Sequence, residues 1–126
     1  MPSSPVSRWV ALGGAMLFAA IAVATLVPAG WQVRLGLHWL VEHFLAYFVL
    51  TTMFCLAWHR PMAVAAVVLP VAILLEASQG LTPDRTADAA TALSAATGVA
   101  VAALLADLAI TLRGRIRIDP ATGPKA

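Results

Sequence analysis

The chain has 126 residues, of which 61% are hydrophobic and 11% charged, with a formal net charge of +2. A mean hydropathy of +0.88 belongs to a membrane protein rather than a soluble domain, and the length leaves no room for a second sizeable domain. The few basic residues lie mostly between apolar runs, which argues against a nucleic-acid face; the single cysteine, Cys55, excludes an internal disulfide and argues against a Cys-built metal site.

The first apolar run, Trp9 to Pro28, is 20 residues long and carries no charge. At 1.5 Å per residue it reaches about 30 Å, enough to cross the hydrocarbon layer. Arg8 ahead of it and small residues near Ala22 to Ala29 also fit a cleaved signal peptide. Cleavage would leave three spans and send the Arg-rich C-terminus outward, so a retained span is the favoured reading. The second span is predicted over 39–57, with Glu42 and His43 near its first turn. The third is predicted over 61–78, with Pro61 in its first turn and a kink at Pro70. The fourth is predicted over 87–112, alanine-rich and interrupted by Asp107; residues 113–126 then read as a basic tail that frays after Asp119-Pro120.

Trp9, Trp31, Trp39 and Trp58 fall at or just beyond the ends of these spans, where an indole is most stable. Arg8, Arg60, Arg113, Arg115, Arg117 and Lys125 fall on one side, against Arg34 and Arg85 on the other. That bias predicts an all-α integral membrane four-helix bundle, multi-pass, with the N-terminus and C-terminus cytoplasmic. The tight His59-Arg60 turn makes spans two and three antiparallel neighbours. Gly13-Gly14 and Gly98 allow close helix approach, within the chain or in a homodimer or with a membrane protein partner.

This topology brings Glu42, His43, Tyr47, Glu76, Gln79, Asp84, Arg85 and Asp88 to one depth near the non-cytoplasmic face. Ionisable groups are costly there, so a cluster marks either a site or a buried pairing network. His43 and Tyr47 share a helix face at i, i+4, and Glu76 and Gln79 share one at i, i+3. Gly80 to Asp84 reads as a loop, and Asp88 is placed to pair with Arg85 or to cap the fourth helix. As a site, Glu76 is a base or cation ligand, His43 a proton carrier and Arg85 an anion clamp. Tyr47, Gln79 and Asp88 then hold the substrate. As structure, the same groups satisfy one another and keep four helices in register. Glu42 fits the headgroup zone, and Asp107 fits an interfacial partner of Arg8 or Arg60. His43, Glu76 and Asp88 form only a weak mixed ligand set, so no metal is expected. No P-loop, dinucleotide fingerprint or nucleophile elbow is present, and no cofactor is expected.

Glu42-His43-Phe44-Leu45-Ala46-Tyr47-Phe48, then Glu76-Ala77-Ser78-Gln79, then Pro83-Asp84-Arg85-Thr86-Ala87-Asp88, with Gly98 inside the last span, resemble the VanZ-like membrane proteins over about residues 39–100. His43-x-x-x-Tyr47 is similar to the signature opening a span in that family. Glu76-x-x-Gln79 is similar to the one closing the next, and the Asp84-Arg85 loop to its Pro-Gly-Arg loop. The chain departs from the pattern at Trp39 and Leu40, where members carry Asp-Lys, at Thr91 and Ala95, where they carry Asp and Asn, and at Asp84, which replaces the turn glycine. The resemblance implies a multi-pass protein of the bacterial inner membrane with an envelope role, in a family named for an accessory part in teicoplanin resistance. Three functions follow in order: binding or modifying an outer-leaflet lipid or lipid-linked glycan, a structural or partner-binding bundle, and a transporter subunit.

Overall fold

The computed structural model describes residues 4–82 and 84–118; Pro83, Asp119-Pro120 and Lys125 lie outside the described residues. Among the described residues four α-helices follow in order: α1 (Pro5–Leu26), α2 (Trp39–Trp58), α3 (Pro61–Ser78) and α4 (Ala89–Ile118). All four are long and apolar enough to cross a membrane. The chain is therefore an all-α, multi-pass protein of the inner membrane.

Helix ends follow local chemistry more closely than hydropathy does. α1 begins four residues ahead of the apolar run, because Ser4 and Ser7 close a reciprocal capping box at 3.1 and 3.2 Å and Pro5 takes the first helical position. α2 ends where His59 enters the left-handed region at φ 53°, and Pro61 starts α3 directly. α3 runs unbroken through Pro70 to Ser78 and is followed by a 3₁₀ turn, Gln79–Leu81. α4 starts at Ala89 because Asp88 caps it, Oδ1 accepting from the Ala90 N–H at 3.1 Å. Its far end continues through Arg113 and Arg115 to Ile118, so the segment read as a tail is helical that far.

Small residues decide the packing. Gly98 lies so close to α2 that a Cβ there would meet the Phe44 carbonyl oxygen at 2.5 Å. One turn earlier the Ser94 hydroxyl donates to the Leu40 carbonyl at 2.5 Å. Both contacts advance by four residues together, so α2 and α4 run parallel. Spans two and three do touch, yet each packs more extensively on α4, which lies between them. Tyr47, Leu50, Val68, Ala72, Ala95 and Val99 form the core. α1 packs on α2 with only Gly14 and Thr25 buried, so most of its surface faces lipid.

Met16, Val23, Leu45, Leu56, Val67, Leu74, Leu93 and Leu104 are exposed around the outside, as a lipid-facing surface requires. Asp107 is exposed on α4, a position that suits snorkelling toward the interface.

Candidate functional site

The α1–α2 and α3–α4 connections meet at one end of the bundle, and a cavity of about 440 Å³ opens there. That volume lies within the ordinary range for small-ligand sites. His43, Tyr47, Gln79 and Arg85 line it, together with Glu42, Asp84 and Thr91. Ile21, Ala24 and Ala46 give it an apolar wall.

His43 is oriented by its own helix. Nδ1 lies 2.8 Å from the Trp39 carbonyl, which can only accept, so Nδ1 carries a proton and, in the neutral imidazole, Nε2 is the acceptor. Trp39 also meets the imidazole edge-on, with ring centroids 6.5 Å apart. One turn deeper, Tyr47 is buried with its ring in the core. One turn deeper again, the Thr51 hydroxyl is fully buried without a hydrogen-bond partner among the described residues.

Glu76 stands behind the cavity wall rather than on it, only 5% exposed at the end of α3. With its amide oriented to satisfy both ends, Gln79 donates to Glu76 Oε1 at 3.2 Å and accepts from Arg85 Nη1 at 2.9 Å. The same Nη1 donates to the Thr25 carbonyl at 3.0 Å. Thr25 sits in the last turn of α1, where carbonyls lack helical partners and a cation is favoured. Arg85 thus ties the end of α1 to the end of α3, with Glu76 joined through Gln79. Tyr47, His43, Arg85 and Asp88 are charged or titratable neighbours of the Glu76 carboxylate.

Asp88 takes the capping role: besides Ala90 N–H it accepts from the Thr91 hydroxyl at 3.2 Å. It does not line the cavity. Glu42 accepts from the N–H groups of Leu35 and Leu37 at 2.9 and 3.1 Å, pinning the α1–α2 connection. Among the described residues, no three His, Cys, Asp or Glu side chains gather closely enough to hold a metal ion.

Arg34, which entered the sequence reading only through the charge bias, also lines the cavity. Its signal was present: it is the lone charge in Val33-Arg34-Leu35-Gly36-Leu37, an otherwise apolar connection.

Comparison of the chain with family models, with curated proteins and with solved structures returns no match.

Proposed function

We propose that this protein binds the polar head of a membrane-embedded amphiphile, an envelope lipid or lipid-linked glycan, in the cavity at the loop end of the bundle. The observation that carries the reading is an amphipathic cavity at one end of four helices long and apolar enough to cross a membrane. Its polar lining offers the His43 acceptor, the Tyr47 side chain, the Gln79 amide and Arg85. Its apolar lining includes Ile21, Ala24 and Ala46. A head group is held by the first set while the attached chain lies along the second.

If the bound head is also modified, His43 Nε2 is the group placed to take a proton, and Arg85 the group placed to steady an anion. Glu76 then acts from behind the wall through Gln79. The likeness of the His43-x-x-x-Tyr47 and Glu76-x-x-Gln79 segments to VanZ-like proteins supports an envelope role, with glycopeptide resistance as its extension. The charge bias puts the cavity at the non-cytoplasmic face.

A second reading has its own observation. The Thr25–Arg85–Gln79–Glu76 chain of hydrogen bonds joins α1 to α3 whether or not anything binds, so these residues serve equally as a clasp.

Purification of wild type, Glu76→Ala and Arg85→Ala, with mass spectrometry of co-purifying lipids and glycans, separates the two. Binding predicts a specific amphiphile in the wild type that is lost from both folded variants. Unchanged ligand content with a much lower unfolding temperature in both variants supports the clasp and sinks the binding role.

A further inference from the structure

Two arginines are among the residues that line the cavity, Arg34 from the α1–α2 connection and Arg85 from the α3–α4 connection. Arg85 spends Nη1 on Thr25 and Gln79. A guanidinium carries five N–H donors, so the rest of that fork remains for a ligand. Arg34 sits on a backbone held in place from below, where Glu42 takes the flanking N–H groups of Leu35 and Leu37. The connections that carry these arginines also expose apolar side chains: Val33, which lines the cavity, is 93% exposed, and Trp31 and Leu81, close in sequence to lining residues, are 81% and 88% exposed. Beside four membrane spans, such side chains are at home in the lipid interface and not in bulk water.

We infer that the cavity holds the phosphate ester of a membrane lipid, gripped between Arg34 and Arg85, with the lipid reaching it sideways past the exposed Val33. The inference rests on the amphiphile reading above and adds the chemical class of the head group. A carboxylate offers two oxygens, which one guanidinium fork satisfies; a phosphate offers further acceptors on a tetrahedron, which suits two forks arriving from different connections. Glu42 and Asp84 line the same cavity and balance its two arginines in formal charge. Recognition therefore depends on directed guanidinium hydrogen bonds more than on a net positive field.

The test is calorimetric titration of the full chain in neutral-detergent micelles with three probes: dihexanoyl phosphatidic acid, dihexanoyl glycerol and inorganic phosphate. The phosphorylated lipid binds the wild type, and Arg34→Gln weakens it by about tenfold or more. Arg34→Lys falls in between, because an ammonium keeps the charge and loses the fork. An unchanged unfolding temperature in Arg34→Gln separates lost recognition from lost folding. Equal affinity of Arg34→Gln and wild type overturns the inference. Equal binding of dihexanoyl glycerol also overturns it while leaving the amphiphile site standing. Inorganic phosphate binding as tightly as the lipid overturns the membrane source of the ligand. Wild type that takes up neither lipid defeats this inference and the amphiphile site together.

Discussion

Gln79 is the residue on which the polar centre turns, since its amide is the link between an acidic and a basic side chain. Gln79→Leu keeps roughly the same bulk and leaves Glu76 and one contact of Arg85 without their partner. The expected cost is about 1–3 kcal/mol, because a buried polar group stripped of its partner loses more than the bond was worth. Denaturant unfolding in micelles measures it; a variant as stable as wild type would mean that water in the cavity replaces the amide. Pairing at this level was partly legible. The i, i+3 spacing of Glu76 and Gln79 put them on one face, and the sequence allowed Asp88 to cap α4, as it does. The Arg85–Thr25 contact was not legible, because it joins residues 60 apart through a backbone carbonyl that carries no residue-type signal.

Helices in lipid gain little from burying apolar surface against one another, so close approach at small residues sets their association. Gly98 and Gly114 lie on the same helix, one buried against a neighbour and the other exposed. A Cβ at Gly98 would meet backbone atoms of Phe44 and Phe48, which cannot swing aside, whereas at Gly114 it would meet nothing within 4 Å. Gly98→Ala is expected to cost about 1–3 kcal/mol by forcing α2 and α4 apart. Gly114→Ala is expected to be neutral or to stabilise by up to about 1 kcal/mol through helix propensity. Thermal unfolding of the two variants side by side checks this, and equal effects would show that the α2–α4 contact is slack. Hydropathy placed all four elements, while Ser4, Asp88 and the helix-compatible Arg113 to Ile118 stretch moved their ends. Caps act through single hydrogen bonds that an average over many residues smooths away.

Across the whole molecule, four consecutive spans return the chain to the side on which it began. Arg8, Arg60, Arg113 and Arg115 all belong to the end opposite the cavity, which the positive-inside bias assigns to the cytoplasm. Reporter fusions at each terminus and in the 32–37 connection test the assignment: the termini are expected to report cytoplasm and the connection the opposite side. The reverse pattern would turn the cavity inward and remove an outer-leaflet ligand from consideration. Hydrophobic run lengths, tryptophan positions and the shared depth of the polar residues were determined by the sequence alone, because each depends on distance along one helix axis. Which helices touch, that Glu76 stands behind the wall while Arg34 joins it, and that a cavity exists at all were decided only by the tertiary structure. Those outcomes depend on rotation about each helix axis and on the path of two short connections, and both are set by contacts between segments far apart in the chain.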